Sequence, residues 1–541
     1  MRRAPNTDLA INAIPIRGLI GLWIIGLLVG LIGLGAVPLR DFDEAIVARV
    51  ALELSHHKGT GALLPTLWNE PYINKPPGLH WLIAILINLN SVLNPHGSQP
   101  PPEIVIRLFP AIISSLIIPI CGLIQWQLKP GEQFPSLATS AIFLTLLPIA
   151  RHGRLAMLDG PCITAMALIW LLLLSNNRTI IDYLRMLAIG ITSSFILMLK
   201  APLLVPTICA ALIPIFWGRE LKKWWRWPLA IVLLIGLLPG ISWHIWHGIS
   251  RGDAALWLWG GDGAVRVLFD PGEGSDLGWK VPLIEILEGG WPWLLLWPIA
   301  IAWAWKSKYT RWGKWTLGTQ ITLALTILPL KTQLPWYSHP LWIPFGLLCG
   351  PILSWLITRE NKHPIVCKKV LEKIPLAWIL LGSIILLLGL IGTLGLVKEL
   401  KPYSTLALAG GLGWATGGLL IYKRSKTKRR FGFLALLAGN ITALALLMGS
   451  SLWLWELNES WAVQPVAKLI EKTKDHTVVI AGSEERPSLN WYAGKQIKRL
   501  QDDPSAKWIL TKNPKEFKKL NPARDCSSYI SNEEWTLLSC N

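Results

Sequence analysis

The chain has 541 residues, of which 52% are hydrophobic and only 16% charged, with a mean hydropathy of +0.43. This balance excludes an ordinary soluble domain and describes a polytopic membrane protein. The net charge of +19 is spread in short clusters between apolar runs, so membrane topology accounts for it and no nucleic-acid partner is expected.

The first apolar run, about residues 16–38, has Arg2 and Arg3 before it and Arg17 at its start. It is too long for a cleavable signal core and places the N-terminus in the cytoplasm. The first outer loop then runs from about Arg40 to Arg107. Within it, Ala45 to His57 sets Val47, Val50, Ala51 and Leu54 on one helical face, a pattern suited to an interfacial helix. Asp41 and Glu44 are spaced as a capping box for that helix. The apolar stretch Gly78–Leu93 is short for a crossing. If it crossed, the basic clusters at Lys222–Arg226, Lys306–Lys314, Arg359–Lys369 and Lys423–Arg430 would all lie outside, against the positive-inside bias. A surface or re-entrant helix is expected there.

Further spans are expected near 108–128, 134–150, 160–175, 184–199, 202–217, 228–247, 284–304, 316–331, 339–357, 375–396, 403–422 and 431–454. That makes about 13 transmembrane helices and an extracytoplasmic C-terminus in the plasma (inner) membrane. The 32 Trp suit span ends at the headgroup level. From about Gln464 the pattern changes. Val478–Ile480 and Trp508–Leu510 read as strands and Pro514–Leu520 as a helix. The expected architecture is therefore an all-α membrane domain over 1–460, with interfacial helices in the outer loop 40–107, and a small extracytoplasmic α/β domain over 461–541.

With this topology the polar residues beside the spans collect on the outer face: Asp43, Glu44 and Lys75, then Arg151, His152, Arg154 and Asp159, then Lys200, Asp253, Asp262, Arg266 and Lys331. Ionisable groups beside lipid are costly and so are functional candidates. Asp43 reads either as a first-turn helix charge or as a base for an acceptor hydroxyl. Lys75-Pro76-Pro77 reads either as a stiff helix entry or as a phosphate grip. Arg151 and Arg154 offer bidentate phosphate contacts, and Asp159 opens a span as a cap or a catalyst. No HExxH, paired CxxC or phosphate-binding loop occurs, so no residue is assigned to a metal. No cofactor is fixed, and a divalent metal is left open. Cys526 and Cys540, the two cysteines of the C-terminal segment, are expected to form a disulfide closing a loop of about 15 residues, with two unpaired thiols as the alternative.

The ordered set Asp43-Glu44, Lys75-Pro76-Pro77, Arg151-His152-Gly153-Arg154 to Asp159, Lys200 and Lys331 to Tyr337 resembles the GT-C membrane glycosyltransferases. Within them it is similar to the lipid A aminoarabinose transferase and protein O-mannosyltransferase group. Gly290-Trp291-Pro292-Trp293 resembles a further segment of that group. The chain differs from the aminoarabinose transferase at Asn74 (Glu there), at Ile46 (Arg there) and at Asp262 to Arg266, which lacks a His. The resemblance implies a polyprenyl-phosphate sugar donor, an extracytoplasmic lipid, glycan or protein acceptor, and inversion at the sugar. It implies Asp43 as catalytic base with Glu44 and Asp159 beside it. Lys75, Arg151, Arg154, Lys200 and Lys331 would hold the donor phosphate, with Tyr337 and Arg266 as substrate contacts. A transporter or glycolipid flippase is the rival reading; it predicts mid-membrane charges and repeat symmetry, neither of which the sequence displays. A non-catalytic envelope scaffold would not need Asp43 and Lys75 together.

Overall fold

The computed structural model describes residues 14–97, 100–175, 179–219, 226–257, 278, 280–331, 333–359, 367–423, 425–454, 461–473, 477–482, 485–532 and 534–540. Asp262 and Arg266 lie outside the described residues. The chain divides into two compact units. One comprises Met1–Leu34, Ile73–Gly78 and Leu108–Trp453; the other comprises Gly35–Tyr72, Leu79–Arg107 and Leu454–Asn541.

The first unit is helical. Among the described residues, seven helical stretches of the chain are long and apolar enough to cross a membrane: Glu103–Leu128, Ile180–Trp217, Trp227–Arg251, Pro335–Thr358, Lys368–Thr393, Lys398–Tyr422 and Lys426–Met448. Ile16–Leu31, Gly78–Leu93 and Asp159–Leu174 are shorter apolar helices. The protein is thus a multi-pass membrane protein, but its apolar sequence is divided differently from the expected thirteen spans. The segments expected as 184–199 and 202–217 form one stretch that breaks at Lys200, where φ −151° and ψ 78° leave the helix before a 3-10 turn at Ala201–Leu203. The segment expected as 134–150 is two helices, Gln133–Thr145 and Leu147–His152. Pro148 explains the break, since its ring suits the start of a helix and not its interior.

Side chains such as Leu380 and Leu387 project outward from the helix Ile374–Thr393, as lipid-facing residues do, whereas every residue of the helix Trp342–Thr358 is buried. Close approach of backbones sets the packing. A Cβ at Gly190 would lie 2.4 Å from the Leu233 carbonyl oxygen, and one at Gly236 would lie 2.6 Å from that of Leu187. Small residues at such crossings let helices gain van der Waals contact where no hydrophobic force between them exists.

In the second unit, β1 (Thr66–Leu67) and β2 (Glu70–Pro71) form a hairpin. Five further strands, β3 (Val478–Ile480), β4 (Lys498–Arg499), β5 (Trp508–Thr511), β6 (Cys526–Ser531) and β7 (Thr536–Cys540), form a sheet in the order β4-β3-β5-β7-β6. β3 runs parallel to β4 and β5, and β7 runs antiparallel to β5 and β6. The strand period of two puts Val478, Ile480, Leu510 and Leu537 on one face, packed with Val466, Ile470 and Leu489. Val479, Ile509 and Leu538 occupy the other face, with Phe517. Cys526 and Cys540 are register partners with Cα atoms 4.0 Å apart and are joined as a disulfide.

The helix Glu44–His56 departs from the interfacial expectation. Its apolar face does pack, with Val50 and Leu54 against Tyr72 and Ala84. Its other faces are covered too, and Glu44 and Glu53 are buried. The helical spacing of the apolar residues shows where they point; it says nothing of whether the polar residues opposite them find buried partners.

Replacing both Cys526 and Cys540 by Ser is expected to cost the C-terminal segment about 2–4 kcal/mol. The change should appear as faster protease cleavage within residues 461–541 with the membrane helices left intact.

Candidate active site

In the helical unit, three sequence-predicted residues come together. Asp159 opens the helix Asp159–Leu174, and Lys200 ends the helix Thr179–Lys200. Lys200 Nζ donates to Asp159 Oδ1 at 2.8 Å. The same ammonium lies 4.6 Å from the centre of the Tyr337 ring, on the 3-10 helix Pro335–Leu341. Asp159 is buried and the Lys200 side chain keeps 28% of its exposure, so the pair has one side open. A carboxylate and an aromatic face together hold the ammonium in place.

Gly78, three residues after Lys75, packs directly on the same end of the Thr179–Lys200 helix. A Cβ at Gly78 would meet the Met198 carbonyl oxygen at 2.6 Å, so Gly78 permits a direct approach of the Lys75-Pro76-Pro77 segment. Lys75 itself is half-buried. Lys331 is exposed, two residues before Gln333, whose Nε2 donates to the Ile327 and Leu330 carbonyls and fixes the path into Pro335.

Arg151 and Arg154 are placed otherwise than the sequence suggests. Both are buried: Arg151 Nε donates to the Trp453 carbonyl, and Arg154 donates to the Ile32 and Met448 carbonyls while lying over the Trp453 ring. These contacts make them clamps on carbonyl groups at chain turns. His339 was not foreseen; its Nε2 stands 3.1 Å from Nδ1 of His152, and its place two residues after Tyr337 is the one signal in the sequence.

Asp43 and Glu44 belong to the second unit. The helix begins at Glu44, and Asp43 occupies the cap position without a side-chain capping bond. The expected capping box does not form, because Asp41 accepts instead from Arg486 and from Ser488. Glu44, expected as catalytic, has both oxygens engaged by Arg107: Nε to Oε1 at 2.8 Å and Nη2 to Oε2 at 2.7 Å. Its Oε2 also accepts the Arg40 N–H. Both partners of this ion pair are fully buried, so Glu44 positions the turn and offers no open carboxylate. Between them, Phe42 takes the left-handed conformation at φ 59°, which costs a side-chain-bearing residue about 1–2 kcal/mol. Asp43 thus follows a strained residue on a turn whose neighbours are fixed, the setting in which functional side chains are often found.

Two carboxyl-centred clusters stiffen this unit further. Burial pushes the Glu53 carboxyl up, but hydrogen bonds from Thr66, Asn69 N–H and Arg49 outweigh it and hold the group below its ordinary value. Glu53 also accepts the Trp68 N–H at 2.8 Å, and the Arg49 guanidinium stacks on the Trp68 ring at 3.7 Å. Trp68 and Asn69, at φ 55° and 66°, form the primed turn that a two-residue hairpin requires. At Tyr492, burial and the neighbouring Glu103 carboxylate raise the phenol well above its ordinary range, so it stays protonated and donates to Glu103 at 2.7 Å. Its oxygen accepts the Leu39 N–H at 2.7 Å.

Among the described residues, no group of three or more His, Cys, Asp or Glu is placed to hold a metal ion.

The structure is similar to the crystal structure of ArnT from Cupriavidus metallidurans bound to undecaprenyl phosphate, at 14% identity and a TM-score of 0.73, covering 96% of this chain and 98% of that one. It is similar to the apo form of the same protein at 13% identity and a TM-score of 0.72, covering 97% and 98%. No protein-family model matches the sequence, and no curated protein matches it. At such identity the likeness is one of fold. The chain has the fold of ArnT, an aminoarabinose transferase of the GT-C class, as the order of its residues led one to expect.

Two outcomes follow from this geometry. Gly78→Val should destabilise the protein by about 1–3 kcal/mol in detergent, because backbone and not a flexible side chain stands in the way. Glu53→Gln should cost about 1–3 kcal/mol at neutral pH through weakened, partly unsatisfied hydrogen bonds. Because the folded Glu53 value is lowered, its contribution is present above the ordinary 4.5 and is lost as pH falls through the folded value. Unfolding midpoints of the two proteins should therefore converge as the pH falls through the lowered folded value.

Proposed function

We propose that this chain is a membrane glycosyltransferase of the GT-C type, moving a sugar from a polyprenyl-phosphate donor to a hydroxyl of an extracytoplasmic lipid, glycan or protein, with inversion. The observation that carries the reading is the Asp159–Lys200–Tyr337 cluster, a held ammonium with one side open, in a fold whose solved example binds undecaprenyl phosphate. The disulfide supports an extracytoplasmic C-terminus, since such bonds persist in oxidising compartments, and the N-terminal arginines support a cytoplasmic N-terminus.

In this mechanism the acceptor oxygen attacks the anomeric carbon from the face opposite the phosphate. The new C–O bond forms as the bond to the phosphate oxygen breaks, and the electron pair leaves on the lipid phosphate. Asp43 takes the hydroxyl proton. Lys75, Lys200 and Lys331 offset the charge that develops on the leaving group. Asp159 keeps Lys200 in one position, and Tyr337 limits its movement across the ring. Fixed charges of this kind contribute most because they need no rearrangement when the bond breaks. The first outer loop, 40–107, supplies the base and Lys75. The membrane segment 1–460 supplies the carrier site. The C-terminal segment 461–541 is extracytoplasmic, as the acceptor is.

With a purified full-length protein and a polyprenyl-phosphate sugar, Asp43→Asn should lower lipid-phosphate release by about 10²–10⁴-fold while donor binding is retained. Lys200→Met should lower turnover by about 10²–10³-fold and weaken donor binding as well. Wild-type-like release from folded Asp43→Asn protein would remove Asp43 as the base. Unchanged donor binding by Lys200→Met would remove Lys200 from the carrier site.

A further inference from the structure

Residues 37–44 are held at nearly every position. Arg107 takes the Val37 and Pro38 carbonyls at 2.9 and 2.8 Å, and Tyr492 takes the Leu39 N–H at 2.7 Å. Glu44 takes the Arg40 N–H at 3.1 Å and pairs with Arg107. Asp41 takes Arg486 Nε through Oδ2, and through Oδ1 it takes the Ser488 N–H at 2.9 Å and the Ser488 hydroxyl. Phe42, 59% exposed and left-handed, and Asp43 are what this ring of contacts presents. Three of the tethers, Arg486, Ser488 and Tyr492, come from one short piece of chain at the helix Pro487–Ala493, more than 440 residues from the turn.

Arg486 is itself fixed. Its guanidinium lies 4.5 Å from the centre of the Trp461 ring, with Nη1 and Nη2 3.4 Å from the Trp461 carbonyl oxygen. Arg486 and Ser488 are buried, so the contact to Asp41 is shielded from competing water and salt. Nothing in the folding of the sheet requires the segment to spend a buried arginine, a serine and a tyrosine on this one turn. The sheet has its own apolar core on both faces.

We infer that Arg486, Ser488 and Tyr492 of the C-terminal segment are positioning residues, which hold the 37–44 turn so that Asp43 is kept in one orientation for proton abstraction. The inference rests on the reading of Asp43 as the base. It assigns the C-terminal segment a part in turnover that is separate from donor binding. A misplacement of about 1 Å at a reacting group can cost about 10²-fold in rate. Loosening the turn should therefore lower kcat and leave KM for the lipid donor unchanged.

The test uses full-length wild type, Asp43→Asn, Arg486→Gln, Ser488→Ala and Tyr492→Phe, purified in the same detergent. Each is read two ways: kcat and KM with the undecaprenyl-phosphate sugar that wild type uses fastest, and amide hydrogen exchange of the peptide spanning 37–44. For Ser488→Ala and Tyr492→Phe the expected results are a fall in kcat of about 10–100-fold, KM within twofold, and at least about tenfold faster exchange confined to that peptide. Arg486→Lys should recover part of the kcat lost in Arg486→Gln. If Arg486→Gln does not fold, the two milder variants decide. Exchange or kcat within twofold of wild type in both of them overturns the inference, as does faster exchange with unchanged kcat. An active Asp43→Asn protein overturns the assignment of the base, and the exchange results then still report whether the segment holds the turn.

Discussion

The buried ion pair between Glu44 and Arg107 is the interaction on which the 37–44 turn depends. Both side chains are fully buried and are linked by two short hydrogen bonds, while Arg107 spends its other donors on the Val37 and Pro38 carbonyls. Removing two charges from water is expensive, and the pair offsets that cost only because nearly every donor and acceptor is satisfied. Breaking such a pair by removing one partner typically costs about 3–5 kcal/mol, since the survivor is left as an uncompensated buried charge. The arrangement therefore gives little net stability and a great deal of definition. It allows one path for the chain from Val37 into the Glu44–His56 helix, and the strain at Phe42 is tolerated because the residues on either side are fixed.

The helical unit solves a related problem with a different balance. Lys200 has one strong partner, Asp159, and one soft one, the face of Tyr337, and it keeps an open side. That is what distinguishes it from Arg107, enclosed by the Glu44 carboxylate and two carbonyl oxygens, and from Arg154, which is buried against the Ile32 and Met448 carbonyls. The break at Lys200, where the helix gives way to a 3-10 turn, is what leaves the ammonium at a helix end instead of along a lipid-facing stripe.

Much of this was legible from residue order. The apolar runs gave a polytopic membrane protein, and of the candidates drawn from the outer-face charges and the family resemblance, Asp159, Lys200 and Tyr337 do meet. The strands expected at 478–480 and 508–510 from short β-branched and aromatic runs are present as Val478–Ile480 and Trp508–Thr511. What the sequence hid was long-range pairing. Glu44 and Arg107 are 63 positions apart, and Asp41 and Arg486 are 445 apart, so no local pattern marks either pair. Asp41 has the spacing of a capping residue, and local rules favoured that role until a partner from the C-terminal segment took its oxygens. The Glu44–His56 helix is more enclosed than its spacing suggests for the same reason, because the Arg107 partner of Glu44 and the Thr66, Trp68 and Asn69 partners of Glu53 lie outside the helix. Arg151 and Arg154 illustrate the converse, since arginines at turns satisfy carbonyl groups as readily as phosphates.

The most direct measurement is the anomeric configuration of the product. Purified protein would be given a polyprenyl-phosphate sugar of known configuration together with an acceptor alcohol, and the glycoside formed would be examined by nuclear magnetic resonance. Direct displacement by an acceptor deprotonated at Asp43 predicts one glycoside, of inverted configuration, formed in equal amount with free lipid phosphate. A retained configuration, or lipid phosphate held constant across a full set of sugar donors and acceptors, would contradict the account.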